Sequence, residues 1–274
     1  MIPAPFDYEV AESVEQAVAA LGGDPDAKLL AGGHSLVPAL RLRIARPSKL
    51  VDIGRIAELS YVRDAGGHVA IGALTRHKDV RDAALLREHC SVVSTTAGMI
   101  GDPQVRHRGT IGGSLAHGDP ASDLPAVMLA LEAELVARGP GGERVIPAAS
   151  FFTGVFQTAL APGEVLVEVR VPKLAAGTGA VYLKANRRAQ DWATVGVAVV
   201  VGGGRNGIGL TNMGGTPMRA SAAENALAGG ASAADVAKLL ADGTEPPSDH
   251  AGSADYRRHL VTVLGRRALA AATA

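Results

Sequence analysis

Two glycine-rich stretches carry the residue types most able to do chemistry in this sequence. The first, Gly32-Gly33-His34-Ser35, follows the apolar run Lys28-Leu29-Leu30-Ala31, and apolar character resumes at Leu36-Val37-Pro38-Ala39-Leu40. The second, Thr110-Ile111-Gly112-Gly113-Ser114, lies about eighty residues further on. In the second the Gly-Gly pair adjoins Ser114 and in the first Ser35 stands one residue beyond it; two residues without side chains close to a hydroxyl are the composition that lets a backbone come within hydrogen-bonding reach of phosphate oxygens. A single Gly-Gly pair is more simply an ordinary tight turn. Two such loops, one leading towards a capped helix, can close on the two phosphates of a dinucleotide from opposite sides.

The second loop belongs to a longer stretch, Asp102 to Asp123, which reads as an ordered binding loop, too polar for a strand and too rich in glycine for a helix. Ser122-Asp123, Pro125 and the apolar run Ala126–Leu131 then predict a helix start, with a capping side chain and proline in the first turn. Other patterns are weaker. Gly202-Gly203-Gly204-Arg205-Asn206-Gly207 has dinucleotide-fingerprint spacing but is followed by an alternating run where a helix is required, so it reads as a hairpin turn. Ser114 lacks the preceding apolar strand of a nucleophile elbow. The eight histidines show no ligand spacing, and no metal site is assigned. Lys184 and Asp191 read as part of a solvated charge run, and Trp192, the only tryptophan, as core.

Composition narrows the class. With 27 cations against 27 anions and no block of like charge, the basic footprint of a nucleic-acid binder is missing. One cysteine, Cys90, excludes a disulfide framework and a cysteine-ligated cluster or structural zinc within the chain. No apolar run reaches the roughly 18 residues of a membrane span, and the first residues lack a signal-peptide pattern, so the expected location is cytoplasmic.

The elements that must position the loops follow from periodicity. Ser13-x-x-Gln16 opens a helix ended by Gly22-Gly23. Leu50–Ile53 is a strand. Hairpins are expected around Ala65-Gly66-Gly67 and Gly139–Gly142, and Val165–Val171 is an alternating strand stopped by Pro172. After a run of small residues at Ala175 to Gly179, the sequence predicts strands at 180–184, 195–201 and 208–213, then helices near 220–227, 233–240 and 254–271. In the last helix Tyr256, Leu260, Val263 and Leu264 form the expected apolar stripe, with Arg257, Arg258 and Arg266 facing away.

Taken together and in order, Ala31–Leu36, Asp102-Pro103-Gln104-Val105-Arg106, Thr110–Ser114, Ala116-His117-Gly118-Asp119-Pro120, the strand at 164–172 and Gln190–Gly196 resemble the FAD-binding medium subunits of molybdenum hydroxylases. The likeness is to the carbon monoxide dehydrogenase type within the wider xanthine dehydrogenase family, and it extends over nearly the whole chain. It implies an α+β fold: a PCMH-type FAD-binding domain of two α/β subdomains over 1–175, divided near residue 54, and a C-terminal α+β domain of a small antiparallel sheet and helices over 176–274. It implies that Ala31, Gly32, Gly33, His34, Ser35 and Leu36, with Thr110, Ile111, Gly112, Gly113 and Ser114, hold the FAD pyrophosphate. Asp123 would fix the ribose or adenine end, and Leu166 and Lys184 would lie by the isoalloxazine ring. Ser114 replaces the acidic or amide residue usual after Thr-Ile-Gly-Gly; a hydroxyl can still bond to phosphate.

The resemblance further implies an electron-transfer role without a catalytic acid, base or nucleophile. A large molybdopterin subunit and a small subunit with [2Fe–2S] clusters would be partners, as a dimer of heterotrimers, with FAD passing electrons to an external acceptor. The alternatives are a flavin-free scaffold subunit of the same complex and a stand-alone FAD oxidase. Substrate and acceptor are not legible in this chain.

Overall fold

The computed structural model describes residues 1–274. Its first helix, Val14–Gly22, begins where Ser13 accepts a hydrogen bond from the Gln16 N–H at 3.2 Å. Val14 and Ala17 are buried against a three-stranded parallel sheet in the order Asp7–Val10, Lys49–Asp52, Lys28–Leu30. Next comes a five-stranded antiparallel sheet, ordered Val62–Asp64, His68–Gly72, Val165–Pro172, Glu134–Gly139, Gly142–Pro147. Both expected hairpins lie in it. The C-terminal part is a four-stranded antiparallel sheet, Gly179–Ala185, Val195–Gly202, Arg205–Thr211 and Met218–Arg219, covered by Ser221–Ala228, Ala233–Lys238 and Ala254–Thr273. Gly203 and Gly204, at φ 59° and 81°, make the hairpin turn read from the 202–207 glycines.

The helix Asp123–Leu131 joins these parts. All nine of its residues are buried, and a helix with no polar face must be enclosed on every side. It packs into the core beneath the five-stranded sheet. On its other side the backbone of Arg205–Thr211 lies so close that a Cβ at Gly207 or Gly209 would overlap the carbonyl oxygens of Ala130 or Ala126.

Three expectations are corrected. Asp102–Asp123 is mostly helical: Asp102 caps Pro103–Arg108 by accepting from the Val105 N–H at 2.9 Å, and Thr110 caps Ile111–His117 by accepting from the Gly113 N–H at 3.1 Å. The caps decide the matter, and Gly112 and Gly113 lie in the first turn of the second helix, Gly112 where close packing against Ala73 needs it. In the last helix Leu260 and Leu264 pack on the core as expected, but Arg257, Val261 and Ala268 share the buried face and Tyr256 is half exposed. Arg257 is drawn inward by its bonds to the Thr194 carbonyl and to Asp249 at 2.7 Å. Trp192 is 55% exposed and not in the core.

Candidate functional site

The first loop leaves the strand Lys28–Leu30 and enters the helix Leu36–Arg41. Gly33 takes φ +77°, a left-handed conformation costly for other residues, and its carbonyl accepts from the Val37 N–H at 2.9 Å. The N–H groups of Gly32, Gly33, His34 and Ser35 donate to no carbonyl of the chain. Four successive free donors on a curved backbone form a concave anion-binding surface.

The second loop presses against the first. A Cβ at Gly32 would overlap the Arg108 carbonyl oxygen and lie 2.8 Å from the Gly109 Cα, and one at Gly113 would stand 3.9 Å from the Ala31 Cβ. The structure therefore brings Ala31–Leu36 and Thr110–Ser114 to one place. Their backbones are not equivalent, however. Ile111 N–H donates to Thr75 O at 3.0 Å, Gly112 N–H to Ala73 O at 2.9 Å and Ser114 N–H to Thr110 O at 3.0 Å, while Gly113 N–H is taken by the Thr110 hydroxyl. Gly112 is needed for packing: a Cβ there would sit 2.5 Å from the Ala73 Cβ. The second loop contributes shape, hydroxyls and the exposed face of Gly113, and the first contributes the free donors.

Positive charge surrounds the junction. Arg76 donates to the Arg108 carbonyl, and Arg106 donates to Ile100 O at 2.9 Å and Gly101 O at 3.2 Å, its Nε buried without a partner. Behind Gly109 lies His77, 3% exposed, its Nδ1 also unpartnered. Burial, and then the nearby Arg106, His34 and Arg76, push its imidazole down to about 4, so it is neutral at pH 7. The arginines and the free donors would complement a doubly charged diphosphate, and the glycine approach leaves no side chain in its way, so these residues fit the pyrophosphate of FAD.

The other assigned residues come from other elements: Asp123 from the helix Asp123–Leu131, Leu166 from the strand Val165–Pro172 and Lys184 from the strand Gly179–Ala185. Leu166 is 5% exposed in the main core, opposite Ala137 and just before a bulge; its neighbour Val167 accepts from the N–H of Ala73, the residue supporting Gly112. Asp123 and Lys184 meet each other, with Nζ to Oδ2 2.9 Å and only 7% and 5% side-chain exposure. Tyr182 donates to Asp123 Oδ1 at 2.7 Å and lies 3.3 Å from the Thr211 hydroxyl, while Lys184 reaches the Met99 carbonyl at 3.4 Å. Burial raises the Asp123 carboxyl, against the pull of Lys184 and Tyr182, and raises the Tyr182 phenol far more. Asp123, expected at the ribose or adenine end, and Lys184, expected by the ring, are thus joined in one buried ion pair.

Arg76, His77 and Tyr182 were not singled out from sequence. Tyr182 was the legible one, since strand alternation places it on the same face as Lys184. Cys90 is buried, which pushes its thiol up to about 12 and leaves it unreactive.

Residues 4–174 match the family described as the FAD binding domain in molybdopterin dehydrogenase, and residues 180–272 the carbon monoxide dehydrogenase flavoprotein C-terminal domain. The carbon monoxide dehydrogenase medium chain of Hydrogenophaga pseudoflava is 44% identical, the alignment spanning 100% of this chain and 99% of that one. Subunit alpha of the 6-hydroxypseudooxynicotine dehydrogenase complex of Paenarthrobacter nicotinovorans is 42% identical over 99% of this chain and 96% of its own. A solved structure of the Hydrogenophaga pseudoflava carbon monoxide dehydrogenase superposes with a TM-score of 0.95 at 47% identity, covering 99% of this chain and 98% of that one. With two adjoining glycine loops, a cationic surround and these matches along its full length, the chain belongs to the FAD-binding medium subunits of the molybdenum hydroxylases, the flavoprotein components of these oxidoreductases.

Proposed function

We propose that this subunit takes electrons from a small [2Fe–2S] partner and passes them through FAD to an external acceptor, while a large molybdopterin subunit oxidises the substrate. The supporting observation is the run of free N–H groups at Gly32–Ser35 against Arg108–Gly109, beside Arg76 and Arg106. FAD supplies a centre that accepts and releases electrons singly or in pairs. Gly32–Ser35 would orient its diphosphate, the Thr110 and Ser114 hydroxyls would border it, and the Asp123–Lys184 pair would hold the C-terminal sheet against the FAD-binding part. The division at 175/176, assembly as a dimer of heterotrimers and a cytoplasmic location belong to the same proposal. The lack of any helix long and apolar enough to cross a membrane is consistent with that location.

The substrate is left open for a specific reason. Relatives named for carbon monoxide and for 6-hydroxypseudooxynicotine are 44% and 42% identical to this chain, so overall likeness does not choose between them. The test is titration of the purified chain with FAD, followed by dye reduction in the complex assembled with the large and small subunits. Saturable binding and FAD-dependent dye reduction are expected. A chain that never binds FAD yet still assembles would replace the relay with a scaffold; one that turns over substrate without partners would replace it with a lone oxidase.

A further inference from the structure

We infer that His77 is a positioning residue of the diphosphate site, its buried ring setting the distance between the two glycine loops; this rests on the FAD site assigned above. The geometry is a stack three layers deep. A Cβ at Gly32 would overlap the Arg108 carbonyl oxygen and lie 2.8 Å from the Gly109 Cα, and a Cβ at Gly109 would lie 2.9 Å from Cδ2 and 3.2 Å from Nε2 of His77. The first loop therefore rests on the second, and the second rests on the imidazole. Backbone conformation does not explain the middle glycine. Gly109 has φ −59° and ψ 142°, values open to any residue, so what excludes a side chain there is chiefly the ring.

The ring is held where it cannot give way. His77 begins the helix His77–Asp82 and is 3% exposed. Its N–H donates to Gly109 O at 3.0 Å, while Ile111 N–H donates to Thr75 O and Gly112 N–H to Ala73 O, so residues 73–77 and 109–112 are laced together. The Thr75 hydroxyl accepts from the Tyr61 N–H at 3.1 Å and donates to the Tyr61 carbonyl at 2.9 Å, tying that ladder to the chain just before the strand Val62–Asp64. Arg76 donates to the Arg108 carbonyl, the oxygen that Gly32 meets. These bonds fix the register of the second loop, and the His77 ring fixes its depth. A leucine would fill the space without leaving Nδ1 buried and unpartnered, a cost the fold carries. A flat ring presented edge-on lets a bare Cα approach where a branched side chain does not. Burial, then Arg106, His34 and Arg76, keep the ring uncharged at pH 7, so it acts there through shape.

The test is an exchange of volume in the full chain, read by FAD titration and by the phosphorus-31 resonances of FAD bound at saturation, which report the surroundings of the diphosphate. His77→Ala removes the wall and Gly109→Ala pushes against it, so each should weaken FAD binding roughly tenfold and shift those resonances. In the double variant the added methyl occupies space the ring has vacated, so affinity should return to within about threefold of wild type and the resonances towards their wild-type positions. The Val105 carbonyl, 3.2 Å from the added methyl, accounts for the remaining loss. Should His77→Ala not fold alone, Gly109→Ala compared with the double variant decides. Losses that multiply in the double variant, a double variant that does not fold, wild-type affinity in His77→Ala, or resonances unmoved in the single variants would each overturn the inference. A wild-type chain that binds no FAD would instead overturn the FAD site itself, a result the variants cannot produce.

Discussion

At the scale of single residues, two buried ionisable groups pull stability in opposite directions with pH. His77 falls from 6.5 to about 4 on folding, so between those values the unfolded chain binds more protons, and stability is lost as pH drops through that window. Over the full interval this amounts to roughly 3 kcal/mol. His77→Leu should flatten the acid limb of a melting-temperature profile between pH 6.5 and 4, at some cost in packing at Gly109. Asp123 has the opposite sign: its folded value is raised, so ionisation weakens the fold as pH rises through it, even with Lys184 alongside. Removing the cation should exaggerate this. Lys184→Met would leave a buried carboxylate without its ion-pair partner, a loss of about 3–5 kcal/mol when ionised. Its melting temperature should therefore peak near the acid end and fall towards neutrality, whereas Asp123→Asn should lose that slope. Identical profiles for the two variants would show that the pair carries no charge-dependent energy.

At the scale of elements, the junction of the two loops predicts an asymmetry between glycines that look alike in sequence. A side chain at Gly32 meets backbone, the Arg108 carbonyl and Gly109 Cα, which cannot rotate away; at Gly113 it meets the Thr110 hydroxyl 2.7 Å away, held by a torsion that can turn. Gly32→Ala should weaken FAD binding at least tenfold in a fluorescence titration and lower the melting temperature, and Gly113→Ala should do so far less. Equal effects would mean that the backbone contact of Gly32 with Arg108 and Gly109 is not what sets the first loop's shape. The sequence made the place of these loops legible through its glycines, hydroxyls and flanking apolar runs. It did not reveal that the second is a helix start with its donors already used, because Asp102 and Thr110 had to be weighed as caps against the glycine count around them. Hairpins and alternating strands were readable because a period of two leaves little choice of face. In the last helix Arg257, expected to face away, lies on the buried face through contacts with Thr194 and Asp249, more than 60 residues and 8 residues away in sequence. The Asp123–Lys184 pair was opaque for the same reason: its two members lie 61 residues apart in sequence.

At the scale of the whole molecule, Asp123–Leu131 makes the FAD-binding part and the C-terminal sheet depend on each other. No residue of that helix is exposed, and its far side is covered by Arg205–Thr211, whose Gly207 and Gly209 let backbone touch backbone. Tyr182 and Lys184 add polar links from the C-terminal sheet to Asp123 at the start of the same helix. Pulling the sheet away would uncover the side of the helix at Ala126 and Ala130 and break the buried Asp123–Lys184 pair, so neither part has an energetic reason to unfold alone, and calorimetry of the wild-type chain should give one cooperative transition. Gly209→Val puts two branched methyls where the Ala126 carbonyl lies. The sheet must then move off the helix, loosening the Tyr182–Asp123 bond as well. Its calorimetric trace should split or broaden towards lower temperature, while the first loop, on the parallel sheet, should keep FAD affinity within a few-fold of wild type. A single sharp transition for Gly209→Val at the wild-type temperature would mean that the helix is not what couples the two halves.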